Sequence, residues 1–241
     1  MQGYITDKGN VRSVNEDFIG IFEFNKISLY IVADGMGGHN GGDVASHMAV
    51  EISSNYIKEN LDKKGPRDLI INSYKKANRK IFETGYENLS LSGMGTTMTM
   101  AIKKDGKLYV GNVGDSRCYI LDAEDNFVKI TVDHSLVQEL IESGNISEEE
   151  SRNHPNKNIV TRALGGSFDV KVDSFQLDLS FIKKVLICSD GLTNELTEDE
   201  IQNEIINVDD EQEVCDNLLD LCKQRAAKDN ISIIVFKGEC I

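Results

Sequence analysis

The chain has 241 residues, 40% of them hydrophobic, and carries 26 basic against 40 acidic side chains for a net charge of −14. That length holds one domain with a substantial core. A surface so acidic argues against nucleic acid or anionic lipid as partner, and it repels a phosphorylated substrate unless bound cations reverse the sign locally.

Strands are expected at 2–6, 17–24 and 27–33, then a helix over 41–61 with Val44, Ala45, Met48, Ala49, Ile52 and Tyr56 on one face at helical spacing. A second helix is expected over 67–87, just after Pro66, a residue suited to a first helical turn. In 95–102, Thr96, Met98, Met100 and Ile102 alternate with Thr97, Thr99 and Ala101, the period of a half-buried strand. Asp105-Gly106 reads as a tight hairpin turn into 107–113, and strands near 117–122 and 126–131 continue the meander. Residues 134–166 are polar, with a helix candidate at 135–142 and the acidic run Ser147-Glu148-Glu149-Glu150. They read as a flap-like insertion on the sheet within one domain spanning 1–241. Strands follow at 170–178 and 184–189, helices at 197–206 and 210–226, and a last strand at 230–237. Hairpin-linked strands with grouped helices favour an α+β layered fold over an alternating βαβ sheet.

Five cysteines (Cys118, Cys188, Cys215, Cys222, Cys240) form no C-x-x-C pair, and their odd number suits a reducing compartment. The first residues lack the charged and apolar regions of a signal peptide, and no apolar run is long enough to span a bilayer. A cytoplasmic protein without a membrane partner is expected.

Four aspartates sit where an apolar run meets a turn. Asp34 follows Leu29-Tyr30-Ile31-Val32-Ala33, Asp115 ends the run 108–114, Asp190 follows Val185-Leu186-Ile187-Cys188-Ser189, and Asp229 precedes the run 231–236. Carboxylates held together at strand ends need a shared cation. Hard oxygen donors without matching Cys or His sets point to Mg²⁺ or Mn²⁺, and so to a two-metal hydrolase. The loop Ala33-Asp34-Gly35-Met36-Gly37-Gly38-His39 matches neither G-x-G-x-x-G nor a G-K-[ST] ending, so it is not a nucleotide-binding loop. Its ordinary alternative is a glycine-rich turn with a helix cap. Asp122 to Asn126 lacks glycine at the sixth loop position, where Phe127 stands, which rejects an EF-hand.

Taken in order, Gly9-Asn10-Val11-Arg12, Asn15-Glu16-Asp17, the Asp34 loop, Ser92-Gly93-Met94-Gly95-Thr96-Thr97, Gly111-Asn112-Val113-Gly114-Asp115-Ser116-Arg117, Asp190-Gly191-Leu192 and Asp229-Asn230-Ile231-Ser232 form a series. That series resembles the metal-dependent serine/threonine protein phosphatases, the PPM or type 2C family, in its compact bacterial form. The resemblance runs from about residue 3 to 236. It implies a four-layer αββα sandwich, two antiparallel sheets face to face with helices outside, and 134–166 as the flap.

It also implies site roles. Asp34 matches the carboxylate bridging two metals, Gly35 offers a backbone carbonyl to the first, and Asp190 and Asp229 ligate the second. Asp115, with Asp190, matches a third-metal site. Arg12 matches the arginine that receives the substrate phosphate, and Glu16 and Asp17 match residues that hold metal-bound waters. Two Mn²⁺ or Mg²⁺ ions per chain are expected, with room for a third. The implied partners are phosphorylated proteins, substrates of a serine/threonine kinase and the kinase itself, acted on by a monomer.

Against each role stands an ordinary reading. Arg12 is equally suited to a surface pair with Glu16 or Asp17. Met36 stands where some members carry a histidine and cannot transfer a proton; His39 lies three residues on and reads as a loop or capping residue. His47, His134 and His154 have no partner spacing and read as structural or surface. Arg162 serves either substrate positioning or a structural ion pair. A catalytically silent relative that binds metal or phosphoprotein is the alternative function, and it has no chemical need for all four aspartates.

Overall fold

In the run 27–36, Leu29, Ile31 and Ala33 pack toward helices, while Tyr30 and Val32 pack toward a second sheet. This strand is buried on both faces, so it reads as a nearly continuous apolar run. The computed structural model describes residues 2–25, 27–37, 41–152 and 154–240. In chain order the elements are β1 (Gln2–Asp7), β2 (Asp17–Phe24), β3 (Ile27–Met36), α1 (Gly42–Asn60), α2 (Pro66–Glu87), β4 (Gly95–Thr96), β5 (Met98–Lys104) and β6 (Lys107–Val113). After these come β7 (Arg117–Asp122), β8 (Phe127–Lys129), α3 (Leu136–Glu142), α4 (Glu148–Arg152) and β9 (Asp173–Asp178). The chain closes with β10 (Ile182–Cys188), α5 (Asp190–Glu195), α6 (Glu198–Asn207), α7 (Glu211–Gln224) and β11 (Ile231–Lys237).

One sheet has the order β1-β11-β10-β7-β8, the other β2-β3-β5-β6-β9 with β4 on the end of β3. All described pairs are antiparallel. Tyr30, Val32, Val110, Ile120, Ile187, Ile234 and Phe236 fill the space between the sheets. A second apolar layer lies between β3, β5 and the helices α1 and α2, and a third between β10, β11 and α5–α7. Three apolar layers separate four layers of structure, the α+β sandwich expected from the sequence.

Several local expectations change. The buried face of α1 is built on Ala45, Ser46, Ala49, Val50, Ser53 and Ile57, while Val44, Met48, Ile52 and Tyr56 are only partly covered. Val44, Met48 and Ile52 pack against the rim of the same core, and the small Ser46 and Ser53 extend its buried part. The strand expected at 95–102 is two pieces, β4 and β5, and it is not half-buried. Thr97 and Thr99 are fully buried because their hydroxyls bond Ser116 Oγ and Asn112 Oδ1 at 2.7 Å each. β9 begins at Asp173, not 170, and α4 forms where only an acidic run was read. Among the described residues no helix is long and apolar enough to cross a membrane.

Candidate functional site

The acidic residues arrive at one end of the sandwich from different strands. Asp34 lies inside β3, two residues before its end, and Asp190 opens the short helix α5 instead of a turn. Asp17, the first residue of β2, pairs in register with Asp34. Asp34 is fixed by its backbone: its N–H donates to Thr97 Oγ1 at 3.1 Å, and its carbonyl accepts from Thr97 N–H at 2.8 Å and Thr96 Oγ1 at 2.8 Å. Gly35 must be glycine, because a Cβ there would stand 2.1 Å from the carbonyl oxygen of Gly42.

A cleft of about 560 Å³ is lined by Arg12, Glu16, Asp34, Gly35, Asp115, Asp190 and Asp229, together with Met36, Val14 and Val160. Thus the sequence-predicted residues converge. Asp17 is the exception: it is 4% exposed and accepts from Ser189 Oγ at 2.7 Å behind the cleft wall. A second cavity of about 540 Å³ shares Asp115 and Asp190 with the first and extends toward Arg117, Lys129 and Glu198.

Arg12 bonds neither Glu16 nor Asp17. Its Nη2 donates to Asp229 Oδ2 at 2.8 Å, with the arginine side chain 52% exposed. His39 lies outside the described residues. His47 stacks on Phe18 with ring centroids 3.7 Å apart. Arg162 pairs with Asp173 at 3.1 Å, the structural ion pair of its two readings.

Buried and packed near one another, these carboxylates resist ionising. Burial raises Asp17 to about 7, with Asp190 and Asp229 adding to it against the Ser189 bond. Burial also raises Asp115 to about 8, helped by Asp190 and Asp133. Asp34 is open to the cleft on one side, yet burial still contributes most to holding it well above the usual carboxylate range, followed by Asp17 and Asp190. Asp190 is raised by burial and then by Asp229, and Glu16 by burial and then by Asp43.

The donor set fits a hard divalent cation. Its oxygens are carboxylate, and Asp17 Oδ1 is buried with no hydrogen-bond partner. Among the described residues, no three Asp, Glu, His or Cys side chains already form a closed cage. Arg12 holds one oxygen of Asp229.

Sequence reasoning missed the residues that hold the ligand bearers. Asn230 Oδ1 accepts from Glu16 N–H at 2.8 Å, and its Nδ2 donates to the carbonyls of Lys8 and Val14 at 3.0 Å each. One side chain therefore staples the Arg12 loop to the residue after Asp229. Its position beside Asp229 was the available signal. Ser189, which orients Asp17, stands likewise beside Asp190.

The sequence matches the family described as protein phosphatase 2C over residues 9–221. It is 40% identical to a serine/threonine phosphatase stp of Listeria monocytogenes, covering 97% of this chain and 94% of that one. It is 30% identical to the protein phosphatase PhpP of Streptococcus pneumoniae, covering 95% and 94%. Among solved structures it superposes on a bacterial serine phosphatase with TM-score 0.93 at 33% identity, over 100% of this chain and 98% of that one. The catalytic domain of PstP in complex with two manganese ions superposes with TM-score 0.84 at 27% identity, over 98% and 96%. A match over most of the length, on a shared sandwich of two antiparallel sheets, places this chain in the protein phosphatase 2C family.

Proposed function

We propose that this protein serine/threonine phosphatase hydrolyses phosphoserine and phosphothreonine in the cleft between Arg12 and Asp115. The observation that carries the reading is the convergence of Asp34, Asp115, Asp190 and Asp229 with one arginine on a single cavity. Asp34, Asp190, Asp229 and the Gly35 carbonyl would hold two Mn²⁺ or Mg²⁺ ions, with Asp115 and Asp190 serving a third. Such ions supply the positive charge and the acidified water that carboxylates alone lack, for attack on phosphorus and for protonation of the leaving oxygen.

The chain's own residues do the rest. Arg12 presents a planar fork matched to phosphate oxygens and is held at the cleft edge by Asp229. Glu16, whose carboxyl approaches Gly42, would orient solvent in the cleft, and Asp17, fixed by Ser189 behind the wall, would do so only through its unpaired Oδ1. The Asp34 backbone is locked by Thr96 and Thr97, which fixes the point from which its carboxylate reaches the cleft. No residue need form a covalent phosphoenzyme.

The whole chain acts as one catalytic unit, with 134–166 as a flap over the cleft. It works as a cytoplasmic monomer opposing a serine/threonine kinase, in signalling. The silent alternative is not favoured, since every acidic position is filled and the relatives are named as phosphatases. The test is phosphate release from a phosphothreonine peptide with Mn²⁺ and with a chelator. Release that survives exhaustive chelation unchanged overturns the metal reading, and no release under any divalent ion overturns the activity.

A further inference from the structure

His134 stands at the start of the polar segment 134–166, and both ends of that segment meet the Asp115 turn through it. The side chain is 6% exposed. Gly114 N–H donates to its Nδ1 at 3.0 Å, and its own N–H donates to the Gly114 carbonyl at 2.9 Å. Its carbonyl accepts from Thr161 N–H at 2.8 Å, which ties the far end of the segment to the same residue. Nε2 lies 3.1 Å from Asp173 Oδ2 and 2.7 Å from Arg162 Nη1, which also lies 3.1 Å from Asp173 Oδ1.

The protons decide what this ring can do. A ring nitrogen that accepts a hydrogen bond carries no hydrogen, so with Nδ1 facing an amide N–H the neutral ring is protonated at Nε2. That hydrogen goes to Asp173 Oδ2. Arg162 then donates to Asp173 Oδ1 and not to the imidazole, so the carboxylate sits between two donors. Burial lowers the pKa of the ring and Arg162 acts in the same direction, while Asp173 and Asp133 oppose them. Gly114 has φ of 111° and a Cβ there would stand 2.4 Å from Thr97 Cβ, so the turn has no slack through which to re-aim its amide.

We propose that His134 is a positioning residue: its Nδ1 fixes the Gly114–Asp115 turn, and its contacts bind that turn to both ends of the 134–166 segment. Asp115 then keeps its place in the cleft only while the root of the segment is closed. This rests on the proposal above that Asp115 would help to hold a third ion, one of those that would supply the proton for the leaving oxygen.

Two substitutions separate the halves of the ring. Asparagine in His134→Asn can set its amide oxygen where Nδ1 stands, whereas glutamine in His134→Gln reaches Asp173 and leaves Gly114 N–H without its acceptor. In the full chain with Mg²⁺, exchange of the Gly114 amide should match wild type in His134→Asn and be about tenfold or more faster in His134→Gln. Turnover of a phosphothreonine peptide should fall about tenfold in His134→Gln with KM nearly unchanged, fall less for an aryl phosphate, and stay within about threefold in His134→Asn. Equal exchange and equal kinetics in the two variants overturn the role, as does a loss shared equally by both substrates. Asp115→Asn is run alongside. If it leaves the ratio of peptide to aryl turnover unchanged, the Asp115 assignment falls and this inference with it. If it moves the ratio and His134→Gln does not, only the positioning role falls.

Discussion

Arg12 and Asp229, 217 positions apart in sequence, are joined by a 2.8 Å ion pair at the mouth of the cleft. The hydrogen bond to Asp229 is the largest cause of the raised pKa of Arg12, ahead of its Coulombic attraction. The pair sets a competition, because the carboxylate proposed to hold a cation also holds the arginine proposed to bind phosphate. With an exposed arginine such a pair is worth only about 0–1 kcal/mol, so a divalent cation displaces it easily.

Arg12→Ala should therefore weaken binding of phosphopeptide and inorganic phosphate while leaving Mn²⁺ affinity unchanged or up to about threefold tighter. Arg12→Lys should restore only part of the phosphate binding, since an ammonium does not reproduce the bidentate fork. Calorimetric titration with phosphate and, separately, with Mn²⁺ checks both. Unchanged phosphate affinity in Arg12→Ala would return the residue to a surface ion pair.

The four aspartates were legible because each sits at the end of an apolar run, and strand ends on one side of a sandwich converge. The Arg12 pairing was not, since Glu16 and Asp17 are its neighbours in sequence and Asp229 is a neighbour only after β1 and β11 pair in register from Gln2 to Asp7. The α1 face was legible in part: Val44, Met48 and Ile52 pack against the core with Ala45 and Ala49, whereas the buried Ser46 and Ser53 carry no apolar signal. Asn230 and Ser189 act through bonds to segments distant in sequence, Glu16 N–H and Asp17, and such partners have no local signature.

Removing metal should make the protein destabilised by alkali. Asp17 at about 7 and Asp115 at about 8 bind protons more tightly folded than unfolded, where their pKa is near 3.8. The folded state then holds more protons than the unfolded state between pH 4 and 8, so stability falls as pH rises through that window. Mn²⁺ should raise the Tm by mass action and flatten this slope, because it takes the place of the protons. Melting curves with chelator and with millimolar Mn²⁺ at several pH values check it. A chelated protein that gains stability across the window counts against the carboxylate cluster.

Asp34→Asn and Asp190→Asn should separate stability from activity. Each replaces a carboxyl that can ionise only against its acidic neighbours by an amide that never ionises, so the metal-free variants should melt at or above wild type, while Mn²⁺ should raise their Tm much less and turnover should drop by orders of magnitude. Near-wild-type, chelator-insensitive turnover in Asp190→Asn would sink the metal assignment.

Asn230→Ala should act on the fold and on phosphate binding together. It strips an acceptor from Glu16 N–H and a donor from two carbonyls, on a side chain 5% exposed. A loss of about 2–3 kcal/mol is expected from such unsatisfied groups. The Arg12 loop loses its staple, so KM for phosphopeptide should rise more than kcat falls. Chemical denaturation and steady-state kinetics read the two effects.

The last prediction concerns the proton for the leaving oxygen. A serine or threonine alkoxide is strongly basic and leaves poorly unprotonated, whereas an aryl phosphate carries a good leaving group. Loss of the proton source therefore harms the alkyl ester far more than the aryl one. Met36 lines the cleft but has no proton to give. Of the two cavities described, Arg12 lines the first, whereas Asp115 and Asp190 face both. The prediction takes a phosphate seated at Arg12 with its ester oxygen on the Asp115 side. Asp115→Asn should lower phosphopeptide turnover about tenfold or more beyond its effect on an aryl phosphate. His39→Gln should change both slightly and alike. The reverse pattern, a selective loss in His39→Gln with none in Asp115→Asn, would move the proton source to the histidine.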